Sequence, residues 1–157
     1  RIQIVVMPFE RRIGMGNQYT LKVYPAGMSR TVYRVLQISG QDTLDTLCHT
    51  IITAFRFIDE HLYEFCMDNK MYSDDSYQSD PEYEDEPSTD IALEKLDLVK
   101  GQIFTLHYDF GDDWMFTIHV QKIEKEVQKR QPVVVKAKGD IEQYPDCEDW
   151  DEDEEYD

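Results

Sequence analysis

IFTLHYDF, residues 103–110, and WMFTIHVQKI, residues 114–123, are joined by GDD, and the reading of this stretch decides the fold. Phe104, Leu106, Tyr108 and Phe110 alternate along the first segment, and Trp114, Phe116, Ile118 and Val120 along the second. Alternation at period two marks a strand with one buried face. All eight positions are even-numbered. Directly opposed residues of an antiparallel pair point to the same face, so a register that unites the two stripes pairs residues whose numbers sum to an even value. Phe110 opposite Trp114 meets that condition and leaves Gly111, Asp112 and Asp113 as a three-residue loop. Such a loop wants a residue in the left-handed region, and Gly111 is the expected occupant. YDFGDDW, residues 108–114, then divides in two: Tyr108, Phe110 and Trp114 form a structural motif on the buried face, while Asp109 lies on the outer face and Asp112 and Asp113 in an exposed loop.

Upstream, YTLKVYPAG and TVYRVLQIS read as two strands of a hairpin around Pro25 and Gly27. From Asp42 the period changes. Leu44, Leu47, Cys48, Ile51, Ile52 and Phe55 make a single helical stripe, with Asp42 or Thr43 as N-cap, which predicts a main helix over about 43–57. HLYEFCM, 61–67, reads as a strand, IALEKLDLVKG as a short helical turn ending at Gly101, and VVVKAKGD, 133–140, as a last strand. At the N-terminus IQIVVM, 2–7, reads as a strand followed by a loop through MGNQ.

The charge is local. The 157 residues carry 33 acids against 16 Lys and Arg, a net charge of −17, but 72–90 and 140–157 hold nineteen of those acids and no base. The remaining body is close to neutral. Like-charge blocks repel and stay solvated, so the first is expected to be an exposed loop and the second an acidic C-terminal tail on a body spanning 1–139. The only basic run, KIEKEVQKR, is diluted by two glutamates, which disfavours direct binding of duplex DNA. Cys48, Cys66 and Cys147 are odd in number and scattered, unlike a disulfide framework or a zinc site. No apolar run approaches the roughly 20 residues that span a bilayer, so the reading is a cytoplasmic protein with no membrane partner.

LKVY at 21–24, YRVLQIS at 33–39, TLDTLCHTIITAF at 43–55, HLYEF at 61–65 and YDFGDDW followed by TIHV resemble the proteins similar to the third open reading frame of a root-inducing plasmid. The resemblance implies an intracellular bacterial or archaeal α+β domain, some of whose relatives carry transposon or resolvase labels. Where that family often has His two residues after the tryptophan, this chain has Phe116.

Three chemistries have candidate residues in the sequence. In the register above, His107 and His119 are diagonal neighbours on the outer face, and with Asp109 they make a candidate metal set; the plainer account is that all three are solvated outer positions. Alternate acids Asp149, Asp151 and Asp153 resemble a calcium loop but lack its turn glycine. The scattered arginines and the buried position of Cys48 give no nucleophile. The expectation is therefore a single α+β domain, β-grasp-like, with an antiparallel or mixed sheet packed on one helix, acting without a cofactor as an interaction or regulatory module for a protein partner. Its candidate surface comprises Asp109, Gly111, Asp112, Asp113 and His61, together with the aromatic residues of the acidic segments. The alternatives are a mobile-element accessory protein that handles nucleic acid and, third, a metal-dependent enzyme.

Overall fold

In a computed structural model, which describes residues 14–145, those residues fold as one seven-stranded sheet with one α-helix. In chain order the elements are β1 (Met15–Pro25), β2 (Tyr33–Ser39), α1 (Leu44–Ala54), β3 (Tyr63–Cys66), β4 (Ser76–Gln78), a 3-10 turn (Leu93–Leu96), β5 (Ile103–Tyr108), β6 (Trp114–Gln128) and β7 (Val133–Lys138). The strand order is β4-β3-β5-β6-β1-β2-β7, and every ladder is antiparallel. The α+β class and the order hairpin, helix, strand are as the sequence indicates. IQIVVM and the segment from Asp146 onward lie outside the described residues.

The helical stripe seals one sheet face. Leu44, Leu47, Cys48, Ile51, Ile52 and Phe55 are buried against Leu21, Val23, Leu36, Ile38, Phe104, Leu106, Phe116, Ile118 and Val120. Each large apolar side chain buried this fully contributes about 1.5–3 kcal/mol, so this layer is the main source of stability. Thr43 is the N-cap, its Oγ1 accepting from the Thr46 amide, and Phe55 closes the helix.

Four details differ from the sequence expectation. Strand β1 already begins at Met15, because β6 runs on through KIEKEVQ to Gln128 and supplies its partner, with irregular register at Gly16 to Gln18. Cross-strand hydrogen bonding here overrides the turn propensity of MGNQ.

The β5–β6 register keeps the predicted parity but slips by two residues: Tyr108, not Phe110, opposes Trp114. The loop is therefore the five residues Asp109 to Asp113. Its left-handed positions are Asp109 (φ 67) and Asp113 (φ 52), and Gly111 is not one of them. Asp109 Oδ1 accepts from the Gly111 amide at 2.9 Å, an Asx turn that stabilises this longer loop. The left-handed turn at Asp109 also takes Phe110 out of the stripe. It is half-buried on the sheet face away from the helix, against the rings of Tyr72 and His107.

The acidic stretch 72–90 contains β4 and is tied down beyond it. The amide of Gln78 donates to Pro87 O, that of Thr89 to Gln78 O, and the buried Thr89 hydroxyl donates to Asp45.

Beyond Gly139 the chain still packs on the body. Ile141 lies against the core, Gln143 Oε1 accepts from the Ile58 amide at 2.7 Å, and the Tyr144 hydroxyl meets His61 Nε2 at 2.7 Å.

Candidate functional site

Glu64 on β3 and His107 on β5 are directly opposed across their ladder, on the sheet face away from α1. Both side chains are completely buried, and His107 Nδ1 lies 2.7 Å from Glu64 Oε2. The other ring nitrogen, Nε2, lies 2.6 Å from Oδ1 of Asp113 at the end of the hairpin loop. His107 is thus bracketed by two carboxylates. In the doubly protonated ring both N–H groups donate, one to each; in the neutral ring one carboxyl must itself carry the bridging proton.

Glu64 has further partners. The Tyr72 amide donates to Oε2 at 2.8 Å and Gln78 Nε2 to Oε1 at 2.9 Å. Burial pushes the Glu64 carboxyl toward the neutral form, but hydrogen bonds from His107, Tyr72 and Gln78 outweigh it and hold the group below its ordinary value. One carboxylate therefore joins β4, the 67–75 connection and, through His107, the hairpin tip. The Tyr72 ring closes the face, edge-on to His107 at 5.1 Å and tilted against Phe110 at 5.5 Å.

A second set of contacts holds the base of the tip. Asp109 is buried, its Oδ2 3.6 Å from His61 Nε2, while its carbonyl accepts from the Asp113 amide at 2.7 Å. The buried Tyr108 hydroxyl accepts from the amides of Glu60 and His61 and donates to Ile58 O. This pins the connection after α1 under the hairpin.

Of the residues expected at a partner surface, Gly111, Asp112 and Asp113 are exposed, the Asp113 side chain by 45%. Asp109 is not on an outer solvated face but buried, because its left-handed turn directs it inward to cap the loop. His61 is half-buried between Asp109 and Tyr144. Trp114 is half-buried against Phe57 and Phe116.

The metal set His107, Asp109 and His119 is not brought together. The two-residue slip puts His107 opposite Met115 and His119 opposite Ile103, so the two rings are no longer diagonal neighbours. His107 is also buried, not solvated, because the 67–75 connection covers the second sheet face. Among the described residues no group of three or more His, Cys, Asp or Glu is arranged to hold a metal ion.

His107 has no exposed surface from which to reach a substrate proton. Burial raises the Cys48 thiol far above its ordinary value, and burial with the charge of Glu64 pushes Cys66 up to about 12, so neither forms a thiolate nucleophile near neutral pH.

Sequence reading missed Glu64; Tyr72 entered it as one of the aromatics of the acidic segments, without its contact to His107. The available signal was an acid inside the aromatic strand HLYEF, where alternation offered it no wet face; its partner depends on the β3–β5 register, which no local pattern encodes.

Fold and site together define a class: an α+β domain with one antiparallel sheet, a helix on one face, and a buried carboxylate–imidazole–carboxylate bracket behind a polar hairpin tip on the other. The chain belongs to the plasmid pRiA4b ORF-3-like protein family, whose model matches residues 17–155. Among solved structures it is similar to the crystal structure of a protein of unknown function, MM3350 from Methanosarcina mazei Go1. That likeness has a TM-score of 0.66 at 21% identity and covers 90% of this chain and 85% of the other, which is a likeness of fold. No curated protein matches the sequence. Among the described residues no helix is long and apolar enough to cross a membrane.

Proposed function

We propose that the chain is a non-enzymatic interaction or regulatory module of the cytoplasm whose working surface is the hairpin tip joined to the first acidic segment. The observation that carries this reading is the position of Tyr72. The residue is 64% exposed, yet its ring packs on His107 and Phe110, so the tip and the acidic segment form one continuous surface rather than two candidates. Phe110, Gly111, Asp112 and Asp113 lie on one side of Tyr72, and Asp74 and Asp75 follow it in the chain. A surface of fixed aromatics and carboxylates recognises a basic protein segment: cationic side chains gain from both the rings and the charges, and the immobilised loop loses little entropy on binding.

The mobile-element reading draws support from no contact here. The sequence that suggested a basic run, KIEKEVQKR, is largely absorbed into β6. The β-grasp likeness is one of element order and carries no function of its own.

Photo-crosslinking tests the reading. With the cross-linking side chain at Asp112, the full chain in cells is expected to yield a discrete adduct; with it at His49, on the exposed side of α1, it should not. Equal labelling from both positions, or none from Asp112, overturns the proposal.

A further inference from the structure

At the β7 edge of the sheet, a cavity of about 470 Å³ lies between the end of α1 and that edge strand, walled by Ala54, Val134 and Ala137 and by the charged residues Arg34, Arg56, Lys138 and Asp140. Three cations and one anion there stand in contrast to a chain of net charge −17. Arg34 is the fixed point. Its side chain is only 7% exposed, and main-chain carbonyls hold its guanidinium: Nε donates to Ala54 O, and Nη1 to the carbonyls of Tyr33, Lys138 and Gly139. The Phe55 ring lies 4.8 Å beneath it. Nη2 is left for the cavity, where it meets one oxygen of Asp140 at 3.0 Å. That aspartate side chain is 81% exposed. An immobilised guanidinium facing a solvated, singly bonded carboxylate is a site for exchange, because another carboxylate can take the place of the Asp140 oxygen on Nη2 in a charge-assisted hydrogen bond.

We propose that this cavity binds a small organic carboxylate with an aliphatic body, and that Asp140 is the internal carboxylate with which such a ligand competes. Arg34 receives the carboxylate, Arg56 and Lys138 add attraction from the rim, and Ala54, Val134 and Ala137 face the aliphatic part. A second cavity of about 530 Å³ shares Arg56 and Asp140 but carries Glu142 beside Phe55, Ile58 and Ile141, which disfavours a second negative charge on the ligand. Nothing in the pairing requires the hairpin tip, which joins β5 and β6 in the middle of the sheet.

The test is a titration of the full chain with isovalerate, followed by amide chemical shifts at physiological salt, with inorganic phosphate as the anion lacking an aliphatic body. Isovalerate is expected to shift Arg56, Ala137 and Gly139, to bind at least fivefold more tightly to Asp140→Asn, and at least fivefold more weakly to Arg56→Gln. Phosphate should bind more weakly than isovalerate. No shift with Asp140→Asn, indifference to Arg56→Gln, tighter binding of phosphate, or shifts as large at Lys129 and Arg130 as in the cavity would each overturn the proposal. Melting curves accompany each variant; if Asp140→Asn is poorly folded, Arg56→Gln and Lys138→Gln measured against the unaltered chain decide it by the same criteria.

Discussion

Glu64 keeps a charge in a place without water because three N–H groups converge on it, and this makes it costly to disturb. Glu64→Gln leaves His107 with an amide in place of its carboxylate, and removing one member of a buried pair typically costs about 3–5 kcal/mol. Urea unfolding at neutral pH should show a loss of that order. The pH dependence has a definite sign. The folded carboxyl titrates below its unfolded value of about 4.3, so its contribution is complete above that value and is lost as pH falls through the lower folded one. Stability should fall below about pH 4, less steeply in Glu64→Gln. Exposed Asp68, also held low by the Ser73 hydroxyl, titrates in the same window and is unchanged by that variant. Within the loop the aspartates separate. Asp109→Ala should cost about 1–3 kcal/mol, since it removes the acceptor of the Gly111 amide and leaves alanine in a left-handed position, whereas Asp112→Ser should stay within about half a kcal/mol. Asp113→Asn, in the loop that the sequence places in solvent, should fall between them because its carboxylate faces His107. Parity along the strands made the burial of Tyr108 legible. It left the inward turn of Asp109 hidden, because a single left-handed residue breaks the alternation on which parity depends.

At the scale of elements, the stripe of α1 and the alternation of β1, β2, β5 and β6 were all legible, since burial of one face imposes a period. The edges were not. Strand β4 has only three residues and sits in an acidic stretch with no periodicity, and it is ordered by the hydrogen bonds of Gln78 and Thr89 together with the single ring of Tyr77 against the core. The segment after Gly139 is similar: its charges suggested a solvated tail, but Ile141, Gln143 and Tyr144 have partners on the body. Truncation after Gly139 should therefore lower stability by about 1–3 kcal/mol, read as a lower melting temperature, and not leave it unchanged. Trp114→Ala removes ring contacts with Phe57 and Phe116 from a half-buried site, so its cost should lie near the lower end of the about 3–5 kcal/mol usual for a large core aromatic.

Across the whole molecule, the two edges of the sheet differ in charge: the β4 edge carries the acidic segment, and β7 carries Lys136 and Lys138, cations that also guard an open strand edge against indiscriminate pairing. The composition showed that the charge was local, but not that the sheet would place the acidic block beside the hairpin tip. That depends on β3 lying between β4 and β5, a non-local pairing. An acidic surface of this kind should leave duplex DNA unbound at physiological salt, and a salt-sensitive gel shift at submicromolar protein would contradict the account. The most direct test of the central claim uses the partner captured from Asp112 and compares its affinity and the melting temperature for the unaltered chain and the double variant Tyr72→Ser, Asp112→Lys. The account predicts melting within a few degrees of the unaltered chain and at least a tenfold loss of affinity; affinity unchanged in a normally melting variant would contradict it.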